Sequence, residues 1–173
     1  QFENPANPAY HRSTTGPEIV QDFVGRRLDT FVTGWGTGGT LTGAGEIIRL
    51  ARPDVRIIAV EPENAALLSG KPFAPHKIQG WTPDFVPGVL NRNVPDSLMT
   101  VTDAEAIATA RALGSQEGIF TGISGGGGMA AALKLAREAA PGSVILTVLP
   151  DTGERYLSTA LFEGIPDGSE PEL

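Results

Sequence analysis

Residues 31–45 read FVTGWGTGGTLTGAG, a stretch that joins an apolar run to a glycine-rich segment. Its apolar beginning predicts a strand that ends at Gly34, and the run of glycines and threonines behind it predicts a tight loop. The next residues, EIIRLAR, have the apolar spacing of a helix that reaches about Arg52. A second buried strand is predicted at 55–61 (VRIIAVE). Strand, helix and strand in this order predict a right-handed crossover and a parallel sheet.

The flanking segments add one helix and one long loop. Residues 14–23 (TTGPEIVQDF) have apolar side chains at helical spacing, and Gly25 is placed to end that helix. Residues 62–95 are rich in proline and glycine and show no sustained period, which predicts a long functional loop with short helices.

The second half of the chain continues the α/β pattern. A short strand within SLMTV is followed by Thr102, and Glu105 three residues later predicts a capping box for a helix that ends near Gly114. The stretch ISGGGG predicts a glycine-rich turn before an alanine-rich helix, and residues 144–150 (VILTVLP) predict another buried strand. We therefore expect one domain over residues 1–162 and an acidic, disordered tail over residues 163–173.

Composition excludes several classes of partner. Thirteen Lys and Arg residues stand against twenty Asp and Glu residues, so the net charge is −7, and no basic run could neutralise a nucleic-acid backbone or bind an anionic membrane. The chain has no cysteine and two histidines, which excludes disulfides and predicts that no metal is bound. No membrane span or signal peptide is evident, so we predict a cytoplasmic protein. The absence of a starting methionine suggests that the chain is a fragment of a longer protein.

The glycines of the first loop allow two phosphate ligands. Gly34, Gly36 and Gly39 fit G-x-G-x-x-G, and Glu61 ends the next strand, so a small dinucleotide-binding module is one interpretation. A P-loop is excluded because no lysine follows the loop.

Two threonines favour the other ligand. Thr37 and Thr40 add hydroxyl donors to the backbone N–H groups at a helix N-terminus. Such a cup suits a terminal phosphate monoester. Glycine-rich turns are also common as plain packing features, but two of them that open two helices of one small domain favour an anion site.

The second glycine loop resembles a different motif. Gly122, Ser124 and Gly126 match the nucleophile elbow G-x-S-x-G. In that fold the catalytic histidine follows the serine, whereas both histidines of this chain precede Ser124, which excludes the assignment. We interpret four basic side chains as solvated loop residues: His11, Lys71, His76 and Lys77. Trp35 and Trp81 are either loop packing or walls of a ligand site.

Seven segments together resemble one family. They are QFENPANPAYHRSTTGPEI, GTGGTLTG, AVEP, HKIQG, FVPGVL, GISGG and GERYLSTALF, and they extend from Gln1 to about Phe162. This combination resembles cysteine synthase, the O-acetylserine sulfhydrylase of the fold type II pyridoxal phosphate (PLP) enzymes. The resemblance implies a three-layer αβα fold with a mainly parallel sheet, the large C-terminal domain of those enzymes.

The resemblance also assigns site residues. It implies that GTGGT cradles the cofactor phosphate and that Ser124 forms a hydrogen bond at the pyridine nitrogen. Gln1 would lie near the substrate carboxylate, and Gly80 would belong to a loop that lines the substrate cleft. The phosphate residues are Gly36, Thr37, Gly38, Gly39 and Thr40.

Two departures from the family pattern stand out. The family's Schiff-base lysine and its Thr/Ser-Gly-Asn loop lie upstream of the segment that matches Gln1, so this chain would hold no catalytic residue of its own. The second departure is that residues 81–84 (WTPD) and Gly125 stand where the family often has small residues and a second serine. None of Lys71, Lys77 and Lys134 stands at the Schiff-base position.

The resemblance implies an activity for the whole protein. That activity is β-replacement on O-acetylserine, an amino-acid substrate, with sulfide to give L-cysteine, in a homo-oligomer that is a dimer in the family. The chain alone would be inactive. Two alternatives remain open at this point: a noncatalytic domain that binds a phosphorylated ligand or a partner chain, and the dinucleotide-binding module.

Overall fold

The computed structural model describes residues 1–165. In chain order its helices and strands are α1 (Ala6–Ser13), α2 (Thr15–Asp22), β1 (Thr30–Gly34), α3 (Gly39–Ala51), β2 (Arg56–Pro62), β3 (Ser97–Val101), α4 (Asp103–Glu117), α5 (Ile123–Glu138) and β4 (Ile145–Thr147). Short 3₁₀ turns cover Glu63–Ala65 and Gly153–Tyr156.

The four strands form one parallel sheet in the order β3-β2-β1-β4. In the register, Val32 of β1 lies opposite Ile58 of β2 on one side and Thr147 of β4 on the other. The parallel sheet that the strand, helix and strand order predicts is therefore confirmed.

Helices cover both faces of the sheet. Phe31 and Ala59 belong to a buried cluster with Leu41 of α3, and α1 and α2 pack against α3. Their strand neighbours Val32 and Ile58 belong to a second cluster, which contains residues of α4 and α5. Because neighbouring side chains of a strand point to opposite faces, these clusters are the two sides of one sheet. The predicted three-layer αβα arrangement is confirmed.

The last strand differs from its prediction. All three residues of β4 are only partly buried, whereas a fully buried strand was expected. The reason is position: within residues 1–165, β4 pairs with β1 alone and forms the edge of the sheet.

The run of four glycines is helical, so its prediction as a turn was wrong. α5 begins at Ile123 and contains Gly125–Gly128. A β-carbon built on Gly126 would lie 2.1 Å from the carbonyl oxygen of Ala106 in α4. Gly126 therefore allows α4 and α5 to pack backbone against backbone, a contact that outweighs the low helix propensity of glycine.

Other boundaries also moved. The predicted first helix corresponds to α2, but α1 was not predicted. The capping box of Thr102 and Glu105 is present with both reciprocal bonds, and α4 continues past Gly114 to Glu117. The predicted tail falls largely on residues 166–173, which lie outside the described residues.

Candidate functional site

A cleft opens at the carboxyl ends of β1 and β4. The chain proceeds from β1 to β2 and β3 on one side, whereas β4 lies on the other side of β1. At such a reversal point of a parallel sheet the connecting loops separate, and ligands bind in the gap. A cavity of about 290 Å³ lies there. Its lining includes Thr37, Thr40, Gly80, Trp81, Ser124 and Tyr156.

The backbone of the first glycine loop forms one wall of the cleft. Gly38 has φ of +81° and caps α3, and no acidic side chain occupies the first turn of that helix. The first N–H groups of a helix have no partner within it and carry the positive end of its dipole. A β-carbon on Gly36 would lie 2.0 Å from the carbonyl oxygen of Gly80, so only glycine fits where these two backbones meet. The donors and the cavity beside them fit a phosphate group.

Two hydrogen bonds fix the hydroxyl of Thr37. Its oxygen accepts a hydrogen bond from Nδ2 of Asn7 at 2.9 Å and another from the N–H of Gly39 at 3.2 Å. Asn7 belongs to α1, which packs against α3. Asn7 also donates to the carbonyl oxygen of Gln1 at 3.1 Å.

The hydroxyl of Thr40 meets His11. The oxygen lies 3.3 Å from Nε2 of His11, and Nδ1 of the same ring lies 2.9 Å from the hydroxyl oxygen of Thr15. Burial lowers the pKa of His11, so the ring is neutral at pH 7. The interpretation of His11 as a solvated loop residue was wrong, because α1 places it against the cup.

Ser124 lies in the first turn of α5 and lines the cavity. The residue that caps this helix, Gly122, donates its N–H to Oδ1 of Asp151 at 3.2 Å. The other carboxylate oxygen of Asp151 accepts the hydroxyl of Tyr156. Burial, together with the hydrogen bond to Asp151, raises the pKa of Tyr156 to about 12, so the phenol stays protonated. Asp151 and Tyr156 thus fix the turn that carries Ser124.

The loop of residues 76–84 forms another wall of the cleft. Gly80 lines the cavity with φ of +86°, and Trp81 is 9% exposed. A β-carbon on Gly34 would lie 1.9 Å from the indole, so Trp81 packs on the end of β1. His76 is half-buried in this loop, and its Nε2 bonds the carbonyl oxygen of Thr82 at 3.1 Å. Trp81 is both packing and a wall of the cleft.

The structure does not bring every predicted residue to the cavity. Gln1 is exposed and outside the lining, although its carbonyl is one hydrogen bond from Asn7. Lys71 and Lys77 are exposed, as expected. Lys134 forms an ion pair with Glu105, with 2.8 Å between Nζ and Oε1.

Glu61 has a role within the fold. Its side chain is fully buried and accepts the N–H groups of Leu68 at 2.7 Å and Ser69 at 3.0 Å, together with the Ser69 hydroxyl at 2.6 Å. An acidic residue that binds a ribose must offer free oxygens to the ligand. The bonds of Glu61 hold the loop behind β2 instead, which weakens the dinucleotide interpretation.

Residues 1–165 contain no group of three or more side chains able to hold a metal ion, and no helix among them has the length and apolar character to cross a membrane. A larger cavity of about 380 Å³ lies between α4 and the segment 161–165, but its lining is mainly apolar.

The sequence has clear relatives. A family model described as pyridoxal-phosphate dependent enzyme matches residues 1–151. The chain is 58% identical over 170 residues to O-ureido-L-serine synthase of Streptomyces lavendulae, a match that covers 98% of this chain and 52% of that protein. It is 47% identical over 162 residues to cysteine synthase of Staphylococcus aureus, covering 94% and 52%.

Solved structures agree with this picture. The crystal structure of O-ureido-L-serine synthase superposes with a TM-score of 0.95 at 57% identity, covering 98% of this chain and 54% of the other. O-acetylserine sulfhydrylase isoform 3 of Entamoeba histolytica gives 0.89 at 40% identity, covering 98% and 50%. The chain therefore spans about half the length of the relatives that it matches.

Proposed function

Because this chain belongs to the family of pyridoxal-phosphate dependent enzymes, we propose that it forms the phosphate and ring-nitrogen side of a cysteine-synthase-type active site. The proposal rests on one observation, the cup of Gly36–Thr40 at the reversal point of the sheet, in a cleft that Ser124 also lines. Backbone N–H groups, two hydroxyls and a helix N-terminus suit the phosphate monoester of PLP.

We assign the two ends of the cofactor to different elements. When bound, PLP supplies the electron sink that lets bonds at the α- and β-carbons of an amino acid break. The loop before α3 would hold the phosphate, and the hydroxyl of Ser124 would form a hydrogen bond at the pyridine nitrogen. A neutral hydroxyl binds this nitrogen without holding it protonated, which favours elimination at the β-carbon over deeper carbanion chemistry.

The substrate would be a serine derivative with an activated β-oxygen, such as O-acetyl-L-serine. We assign Gln1 and Gly80 to the substrate side of the cleft, where Gly80 already lines the cavity. The base that moves the α-proton would come from outside this chain. This assignment agrees with the ion pair that engages Lys134 and with the exposure of Lys71 and Lys77.

Two nucleophiles are candidates for the proposed reaction, one for each of the products that the names of the two relatives indicate. With sulfide, O-acetyl-L-serine would give L-cysteine and acetate. With hydroxyurea, whose hydroxyl oxygen would form the new bond to the β-carbon, it would give O-ureido-L-serine and acetate. The higher identity and the TM-score of 0.95 with O-ureido-L-serine synthase favour the second reaction as an activity of this protein.

A competition experiment tests the proposal. The N-terminus of the chain is fused to the C-terminus of the upstream half of the S. lavendulae relative. This fusion is called the completed protein. O-acetyl-L-serine and PLP are supplied with equal concentrations of sulfide and hydroxyurea, and both products are measured by mass spectrometry. We expect O-ureido-L-serine to form, and no amino-acid product with the 173-residue chain alone. Exclusive formation of L-cysteine would assign the protein to cysteine synthesis, and turnover by the chain alone would contradict the missing-base assignment.

The resemblance implies the assembly, whereas sequence and composition suggest the location and exclude two classes of partner. We propose that the complete enzyme is a cytoplasmic homo-oligomer, most simply a dimer, with neither a nucleic-acid nor a membrane partner. Light scattering of the completed protein measures its mass directly, and a monomeric mass would contradict the oligomer.

A further inference from the structure

Asn7 stands behind the proposed phosphate cup and touches two parts of the proposed site. Its Nδ2 donates to the Thr37 hydroxyl oxygen at 2.9 Å and to the Gln1 carbonyl oxygen at 3.1 Å. A carbonyl oxygen can only accept, so the amide nitrogen must face Gln1. The amide oxygen faces α3, where a β-carbon built on Gly39 would lie 1.9 Å from it. Glycine at position 39 therefore leaves room for the amide oxygen of Asn7 beside α3, while Nδ2 faces Thr37 and Gln1.

These contacts decide where the proton of the Thr37 hydroxyl goes. A hydroxyl has one proton to donate and two positions at which it accepts. Both accepting positions of Thr37 are used, one by Asn7 and one by the N–H of Gly39 at 3.2 Å. The remaining proton is free to point into the cavity that Thr37 lines.

We propose that Asn7 is a positioning residue that commits the hydroxyl proton of Thr37 to the cofactor phosphate and ties the phosphate cup to Gln1. This inference rests on the proposed function, because it needs the cup to hold a phosphate. Asn7 acts through Thr37 rather than on the ligand itself. Without the Nδ2 donor, the hydroxyl of Thr37 can rotate and donate its proton to another acceptor.

The chain contains a matched control in the same NPAN segment. Asn4 also supports the start of α1, where its Oδ1 accepts the N–H of Ala6 at 2.9 Å. None of the described hydrogen bonds of its side chain reaches the cup. Asn4→Ala therefore loosens the same helix without changing the Thr37 hydroxyl, and we expect the dissociation constant of PLP to stay within about twofold.

A double-mutant cycle measures the coupling in the completed protein. The dissociation constant of PLP is determined by fluorescence titration after cofactor removal, a readout that does not depend on turnover. We expect Thr37→Val to raise it about 10- to 150-fold, the range for losing a hydrogen bond to a charged group. Asn7→Ala should raise it about 3- to 10-fold when Thr37 is present, and less than about twofold in the Thr37→Val protein, because the hydroxyl that it orients is gone.

The outcomes separate the two levels of the proposal. An equal effect of Asn7→Ala with and without the Thr37 hydroxyl overturns the positioning role, as does an effect no larger than that of Asn4→Ala. If Thr37→Val leaves the dissociation constant unchanged, the phosphate cup itself is misassigned. Asn7→Asp, which keeps the size of the side chain but offers an acceptor in place of the donor, should weaken PLP binding at least as much as Asn7→Ala. It tests the same role should the smaller side chain impair folding.

Discussion

The backbones of Gly36 and Gly80 lie against each other, with 2.0 Å between the carbonyl oxygen of Gly80 and the position that a β-carbon on Gly36 would occupy. The loop that ends β1 and the loop that covers the cleft are therefore fitted to each other at a point where no side chain can enter. Gly80 has φ of +86°, a conformation that glycine alone adopts easily, so position 80 also favours glycine.

Gly36→Ala should displace the covering loop and weaken PLP binding by the completed protein at least about tenfold, because the methyl group would overlap a backbone atom. Titration of the cofactor-free protein measures the effect. Gly114→Ala is the matched control: its added methyl would lie 4.0 Å from the carbonyl oxygen of Ile119, an ordinary contact, so it should raise stability by about 0.5–1 kcal/mol and leave PLP affinity unchanged.

Thr40 and Ser124 should differ in what they contribute. Thr40→Ala removes a donor to the phosphate and should cost about 1–3 kcal/mol of PLP binding. Ser124→Ala should reduce turnover more than affinity, because it changes the partner of the ring nitrogen and leaves the phosphate contacts intact. Titration and initial rates of the completed protein separate the two effects, and equal losses of affinity for both variants would contradict the assignment.

His11 should make the fold sensitive to mild acid. Burial lowers its pKa in the folded protein below the ordinary 6.5. The unfolded chain therefore takes up a proton at a higher pH than the folded chain, so stability is full above about pH 6.5 and falls as the pH drops toward the folded pKa. Urea unfolding of the completed protein at several pH values measures this slope. His11→Gln should remove this slope; an unchanged slope in His11→Gln would be inconsistent with a half-buried neutral ring.

The capping box should stabilise α4 by a modest amount. Thr102→Ala should lower the free energy of unfolding by about 1 kcal/mol, since the side chain caps the N–H of Glu105 at 3.1 Å. Thr109→Ala, in the middle of the same helix, should leave stability unchanged or slightly raised. Equal effects of the two substitutions in urea unfolding would exclude a capping contribution.

Glu105 adds a pH dependence to the same helix. The hydrogen bond from Lys134, followed by the one from the N–H of Thr102, holds its pKa below the ordinary 4.5. A lowered carboxylate pKa stabilises the fold above the unfolded pKa, and this contribution is lost as the pH falls through the folded value. Lys134→Met should therefore reduce the loss of stability between neutral pH and about pH 4, as measured by urea unfolding. A steeper loss in this variant would contradict a lowered pKa of Glu105.

Local sequence patterns predicted the centre of the fold and missed its supports. The segment β1–α3–β2 was predictable because its apolar runs and its glycine–threonine loop lie within 31 consecutive residues. Helix α1 was missed because prolines at positions 5 and 8 interrupt a segment without apolar periodicity. The glycines of α5 were interpreted as a turn because the contacts that require glycine, those of Gly126 with α4 and of Gly127 with Trp81, are visible only in three dimensions.

The same limit applies to the candidate site. The sequence and the resemblance indicated the residues that would face the ligand, but not the side chains that orient them. Asn7 and His11 contact threonines about thirty residues away, and no local spacing relates them. Asp151 and Tyr156 reach Gly122 across a similar separation.

A comparison of PLP with pyridoxal, which lacks the phosphate, tests whether residues 36–40 bind that phosphate. Both dissociation constants are measured for the cofactor-free completed protein and for its Thr37→Val, Thr40→Ala double variant. We expect the unaltered protein to bind PLP much more tightly than pyridoxal. The double substitution should reduce the ratio of the two dissociation constants at least about tenfold, mainly by weakening PLP binding. A ratio that is the same in both proteins would contradict the phosphate assignment.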